Sequence, residues 1–135
     1  MRRFLLDTGI AGWFINRRHG VYERAVAEAA RGNRVGICHP ILAELAYGVE
    51  YSASRDRNMQ RLQLALAAWK IWPSTEEAAF EYGRLAADLR RSGRDIQQND
   101  LMIAAIALTL GNCTVVSADS HLTAVPGLTV ENWAV

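Results

Sequence analysis

The chain has a single lysine, Lys70, only two cysteines and three prolines, and no apolar run long enough to cross a bilayer. Each shortage excludes something. Cys38 and Cys113 sit in short apolar stretches, and two cysteines cannot build a disulfide framework. Both are expected to be buried free thiols, which fits a reducing compartment and a cytoplasmic protein. The longest apolar run, Leu101 to Leu110, falls short of the ~20 residues a membrane helix needs, so no membrane partner is expected. The opening MRRFLLDTG places Asp7 after only three apolar residues, which does not fit a signal peptide. No linker, repeat or low-complexity segment divides the sequence, so residues 1–135 are expected to form one domain. Neither sign of charge is in excess: 15 basic residues face 14 acidic ones, for a net charge of +1. A nucleic-acid partner would therefore need the cations gathered locally and the acids gathered elsewhere. The near-exclusive use of arginine suits bidentate phosphate contacts, but coding bias produces the same composition.

Half of the residues are hydrophobic, enough for one real core. They are arranged as short apolar runs alternating with longer helical stretches. Strands are expected at Phe4–Leu6, Val35–Cys38, Val115–Val116 and Leu128–Val130, with a short extended piece at Ile71–Trp72. Helices are expected from Ile10 to Arg18, Val21 to Arg31, Pro40 through Val49, Asp56 to Trp69 and Ser74 to Arg91, and from Asn99 to the stop at Gly111. The last of these is apolar almost all round and so should be buried. The alternation defines an α/β fold: a three-layer sandwich with a mainly parallel sheet of four or five strands.

Most acids occupy ordinary places. Glu23, Glu28, Glu76, Glu77 and Glu81 are expected on exposed helix faces or in first turns. Four others have apolar neighbours: Asp7 after FLL, Glu44 inside ILAELA, Asp100 before LMIAAIAL, and Asp119 after VVSA. In an open parallel sheet the crevice lies at the carboxyl ends of the strands. Asp7 and Asp119 follow strands. Asp100 and Glu44 lie near the starts of helices, at the same edge. Singly, Asp7 reads equally well as a strand-end cap, Asp100 as an acid favoured by the helix dipole, and Asp119 as a turn residue. Glu44 resists such a reading, because a glutamate in an apolar stripe is rare without a partner. Jointly, four acids facing one crevice would repel one another by a few kcal/mol per pair at an effective dielectric of about 20. An all-oxygen site of this charge suits Mg²⁺ or Mn²⁺ rather than Zn²⁺. The reaction it implies is phosphodiester cleavage by a metal-activated water.

The anchors FLLDTGI, HPILAELAYGVE, GRDIQQNDLMIAAIAL, VVSADSHL and VPGLTVENW resemble, in order and spacing, the PIN-domain ribonucleases, and within them the VapC-type toxins of bacterial toxin–antitoxin pairs. The resemblance covers nearly the whole chain. It implies that Asp7, Glu44, Asp100 and Asp119 form the metal site, with Thr8 and Ser117 supporting it. It also implies an RNA substrate, a cognate antitoxin and a homodimer. Two departures stand out. Gly9 replaces a residue that is often Asn or Ser, and Leu122 an often aromatic one. Gly9 removes a polar group beside the metal and leaves open an inactive binding module of the same fold. Leu122 reads as packing.

Arg90, Arg91 and Arg94 shortly precede Asp100 and are candidates for gripping RNA phosphates, with Arg17 and Arg18 next. The competing reading is a solvated helix end. His39 and His121 flank acid motifs and read as surface or cap residues, and His19 as a solvated loop residue. The tryptophans read as core or interface. Two other classes are disfavoured. An aspartic protease needs two DTG motifs in a mostly β structure, and this chain has one, followed by Ala-rich helices. A phospho-acceptor domain wants a lysine near its acids, and Lys70 lies outside every motif.

Overall fold

The computed structural model describes residues 1–135. The order of elements is β1 (Arg3–Leu6), α1 (Thr8–Ile15), α2 (Val21–Ala30), β2 (Arg34–Cys38), α3 (His39–Tyr51), α4 (Arg55–Ala68), β3 (Lys70–Trp72), α5 (Glu76–Arg91), α6 (Gln98–Leu110), β4 (Cys113–Val116), a 3₁₀ turn (Ser120–Ala124) and β5 (Thr129–Glu131). The strands form one sheet in the order β3-β2-β1-β4-β5, and every pairing is parallel. Helices flank the sheet, as the alternating pattern predicts, and Ile71–Trp72 belongs to a full third strand.

The strands are buried because both faces carry helices. Phe4, Leu5, Leu6, Ile37, Val115 and Val116 have no exposed surface. Their short apolar runs are what a central parallel strand requires. Helix α6 presents Leu101 and Ile103 through Ala107 to the core, matching its all-round apolar character. Gly36 lets β2 and β3 approach closely: a Cβ there would fall on the Lys70 carbonyl. No helix is long and apolar enough to cross a membrane.

Three expectations need correction. The first helix ends at Ile15, not Arg18. Asn16 caps it, and Arg17 and His19 both take positive φ, of 56° and 57°. The Arg17 guanidinium then lies 3.3 Å from the Tyr22 ring centroid, which stabilises the reversal by a cation–π contact. Cys113 is only half-buried, whereas Cys38 is fully buried; neither is in a disulfide. Burial still pushes their thiols up, to about 11 for Cys38 and about 12 for Cys113, so both stay protonated. Finally, Glu28 is not on an exposed face but is 2% exposed. Arg24 Nε, at 2.9 Å, and Asn33 Nδ2, at 2.9 Å, donate to its carboxylate, and Arg31 adds a longer contact of 3.4 Å.

Candidate active site

The strand order reverses direction between β1 and β4, since connections from β1 run toward β2 and β3 while β4 and β5 lie on its other side. Such a switch point splays the outgoing loops and opens a crevice at the carboxyl ends of the two strands. Asp7 follows β1 there, and its N–H donates to the Val116 carbonyl at 3.0 Å, tying it to the end of β4. Its side chain caps α1 by accepting from the Ile10 N–H at 2.9 Å. The capping role read from the sequence is therefore present at the end of β1. Ser117 and Asp119 follow β4. Asp100 lies in the first turn of α6.

Electrostatics ties three of these acids together. Burial pushes the Asp7 carboxyl above the ordinary aspartate value; Ser117 and the Ile10 N–H oppose the rise, and the charges of Asp100 and Asp119 add to it. Asp100 is likewise raised, first by burial and then by Asp119, with His121 opposing. No arginine or lysine forms an ion pair with Asp7, Asp100, Asp119 or Glu44. A carboxylate that is buried without a cation is held in an unfavourable charged state at neutral pH.

Asp119 caps the 3₁₀ turn by accepting from the His121 N–H at 3.0 Å, and the His121 ring Nδ1 lies 3.2 Å from the same carboxylate. The Asp119 N–H donates to Ser117 Oγ at 3.0 Å. Ser117 is buried, its Oγ also donates to the Asp119 carbonyl at 3.3 Å, and its hydroxyl is near enough to Asp7 to favour that carboxylate's charged form. Thr8 Oγ1 donates to Glu44 Oε2 at 2.9 Å, which joins the start of α1 to α3.

Glu44 reaches the crevice for a different reason from the one its sequence suggests. It is exposed, not embedded in the apolar stripe. The neighbouring leucines pack inward while Glu44 points to the rim. The four acids also do not close into a ready-made cage: no three His, Cys, Asp or Glu side chains stand close enough to hold a cation as they are. Asp100 and Asp119 line one recess and Glu44 and Asp100 another, while Asp7 stands close enough to feel the charges of Asp100 and Asp119. The donor set is nevertheless all oxygen, and the half-buried, raised carboxyls of Asp7 and Asp100 are the type that a hard cation would relieve.

Two recesses meet at Asp100. One, of about 600 Å³, is lined by Asp100, Asp119, His121, Gln97 and Arg94. The other, of about 530 Å³, is lined by Glu44, Tyr47, Gln97, Asn99 and Asp100. Of the three candidate arginines, only Arg94 lines the acidic recess, and it is anchored to the Ala124 carbonyl at 3.0 Å. Arg91 is paired with Asp88 at 3.0 Å, and Arg90 lines a separate depression beside Tyr82. Arg17 stacks on Tyr22. His121 is exposed, as its sequence position suggests, and also lines the recess beside Asp119. Sequence reasoning missed Arg61, a half-buried cation without an ion pair that lines a third recess beside Thr8 and Glu44. It also missed Tyr47, Gln97 and Asn99. Tyr47 lies one turn after Glu44, a spacing that puts both on one helix face.

This switch-point crevice, built on these motifs, is that of a PIN domain. The family model described as PIN domain matches residues 4–128, and the chain belongs to that family. Within it, the chain is one of the VapC ribonucleases. It is 32% identical to Ribonuclease VapC2 of Rickettsia felis over 96% of this chain and 97% of that protein. It is 28% identical to the tRNA(fMet)-specific endonuclease VapC of Salmonella typhimurium over 98% of this chain and 99% of that protein. Among solved structures, the DNA-bound VapBC2 complex of Rickettsia felis contains a chain that superposes with a TM-score of 0.90 at 32% identity, covering 97% of this chain and 98% of that one. The DNA-bound VapBC complex of Salmonella typhimurium gives 0.90 at 28% identity, with 99% and 100% covered.

Proposed function

We propose that this protein cleaves RNA phosphodiester bonds at the crevice between β1 and β4, in dependence on Mg²⁺ or Mn²⁺, and that it is the toxin of a toxin–antitoxin pair. The observation that carries the reading is a pair of half-buried aspartates, Asp7 and Asp100, raised and without an arginine or lysine partner at the topological switch point. Asp7, Glu44, Asp100 and Asp119 would hold the cation. Bound there, it would supply Lewis-acid activation of the scissile phosphate and of a water. The chain's own groups do the rest. The Ile10 N–H fixes the Asp7 carboxylate, Ser117 holds the backbone of Asp119, and Thr8 fixes Glu44. Arg94 offers its guanidinium to a substrate phosphate, with Arg90 and Arg91 farther along the surface. The solved structures of similar proteins are VapBC complexes. This supports an antitoxin that covers the crevice here, with a cationic side chain answering the unpaired acids. A homodimer is part of the same reading.

The test is RNA cleavage by wild-type protein with Mg²⁺ or Mn²⁺, with EDTA, and by Asp7→Asn with either metal. Cleavage that EDTA abolishes and added metal restores is expected. Undiminished cleavage in EDTA would overturn the metal-dependent mechanism. Expression of the chain without an antitoxin should arrest bacterial growth, and Asp7→Asn should relieve it. Harmless expression of soluble, RNA-cleaving protein would remove the toxin role alone.

A further inference from the structure

The two recesses that meet at Asp100 differ in chemistry. The Asp119 side carries Arg94 and His121, groups that suit a phosphate. The Glu44 side carries no arginine, lysine or histidine. Apart from the metal that Glu44 and Asp100 would hold, an RNA strand passing over this recess would meet no cationic side chain in its lining. The other side chains available to hold the strand there are uncharged.

The uncharged groups present are suited to a base. Tyr47 is 69% exposed, and its ring stacks on Tyr51, itself 79% exposed, with centroids 5.9 Å apart and planes inclined by 29°. A tyrosine backed by a second ring on the next turn presents its outer face as a flat, orientated platform at small entropic cost. Beside it stand the amides of Gln97 and Asn99, with Pro40 closing the same recess. An amide presents a donor and an acceptor side by side, which is how base edges are read. Single-stranded RNA is recognised by this combination of an aromatic face for stacking and polar groups for the edge. Gln97 also lines the phosphate side, so the two recesses form one continuous path.

We propose that Tyr47, Gln97 and Asn99 form a subsite for one unpaired nucleobase of the RNA, adjacent to the phosphate that passes Asp100 on the Arg94 side. The proposal rests on the ribonuclease reading and deepens it. The base lies against the Tyr47 ring, the amides contact its edge, and the backbone passes Asp100 toward Arg94. Target choice then depends on an unpaired base next to the cut, not on charge.

Wild-type protein, Tyr47→Ala, Tyr47→Phe and, as a control, Phe80→Ala should be compared on a short single-stranded RNA whose cut has been mapped. Phe80 is an equally exposed aromatic on α5 and lines neither recess. Base–aromatic stacking contributes about 1–3 kcal/mol, so kcat/KM should fall roughly 5- to 150-fold in Tyr47→Ala. Tyr47→Phe and Phe80→Ala should stay near wild type. An abasic site stepped along the RNA should lower wild-type kcat/KM by the same factor at one position. At that position Tyr47→Ala should add no further loss. In EDTA, 2-aminopurine at that position should be quenched on binding wild-type protein and not Tyr47→Ala. Wild-type kcat/KM in Tyr47→Ala would overturn the subsite while leaving the ribonuclease intact. So would a penalty that persists on the abasic RNA, with or without a change in sedimenting mass, because Tyr47 would then serve folding, an antitoxin or a second copy of the chain. Failure of wild-type protein to cut any RNA would instead overturn the ribonuclease reading.

Discussion

Two groups of acids in this small protein are treated in opposite ways. In the crevice, burial raises Asp7 and Asp100, and no cation answers them. Between α2 and the strands, Glu28 and Glu131 are also drawn out of water, yet both are held below the ordinary glutamate value. Burial alone would raise them, and arginines outweigh it. Arg24 and Arg31 serve Glu28. Arg2, at 2.7 Å, Arg24, at 3.4 Å, and the Trp133 Nε1–H, at 3.1 Å, serve Glu131. Arg24 also lies over the Trp133 ring, with its Cζ 5.0 Å from the centroid, so the cluster pins α2 to the carboxyl-terminal tail. The same chemical group thus stabilises the fold where it is paired and burdens it where it is not. On the proposed function, the half-buried carboxylates without an arginine or lysine partner are the ones a bound cation would relieve.

The largest expected effect would break the comparison outright. Asp7→Asn should lower RNA cleavage about 10³-fold or more, the several kcal/mol a metal contributes to the transition state. Glu28→Gln should leave kcat near wild type. Equal loss of activity in both would erase the distinction between the clusters.

Stability should show the reverse. Glu28→Gln should cost about 1.5–3 kcal/mol at neutral pH, typical of hydrogen bonds to a charged group, and lower Tm by roughly 5–10 °C. Because the folded-state pKa of Glu28 lies below 4.5, this stabilisation is present above that value and is lost as pH falls through the folded pKa. The gap between variant and wild type should therefore close in acid. Differential scanning calorimetry across pH checks it, and a gap independent of pH would remove the ionic explanation.

Asp7→Asn should behave oppositely in metal-free buffer. The folded-state pKa of Asp7 lies above 3.8, so its favourable contribution is complete below 3.8 and is lost as pH rises through the folded value. The variant should match wild type in acid and gain on it toward neutrality, by a smaller margin than Glu28→Gln loses. Added Mg²⁺ should shrink that gain by stabilising wild type preferentially. A variant less stable than wild type at neutral pH in EDTA would show that Asp7 is structural first.

Arg94→Ala, in an Asp7→Asn background, should weaken RNA binding alike for all sequences and make the salt slope shallower by about one unit. Arg91, tied to Asp88, should matter less. An unchanged slope for Arg94→Ala would move the RNA path elsewhere. The smallest effect is expected at Gly9. Its φ is unexceptional, and an added Cβ would meet Asp7 Oδ1 at an ordinary 3.8 Å. Gly9→Ser should leave the fold intact and raise stability by a few tenths of a kcal/mol, as leaving glycine in a helix does. A twofold or larger change in metal affinity, measured by calorimetric titration, would show that the missing polar group had tuned the site.

The sequence by itself determined the alternation of strands and helices, because short apolar runs and helical stripes are local patterns. It also marked Asp7, Asp100 and Asp119, since acids at the ends of apolar runs fall at element boundaries, and boundaries of a parallel sheet share an edge. Leu122 was legible as packing and is 3% exposed. Tertiary structure decided what depends on a helix's rotation and on partners distant in the chain. Glu28 and Glu44 both sit among apolar neighbours, yet the first is buried and the second exposed. A helix shows every residue to one direction or another, and only the packed neighbours say which direction is solvent. Arg94, not Arg90 or Arg91, lines the acidic recess because the turn after α5 carries it toward the Ala124 carbonyl. Tyr47 became part of the site only when α3 and the start of α6 were laid side by side. No periodicity encodes that juxtaposition, because burial of the apolar faces around the sheet creates it.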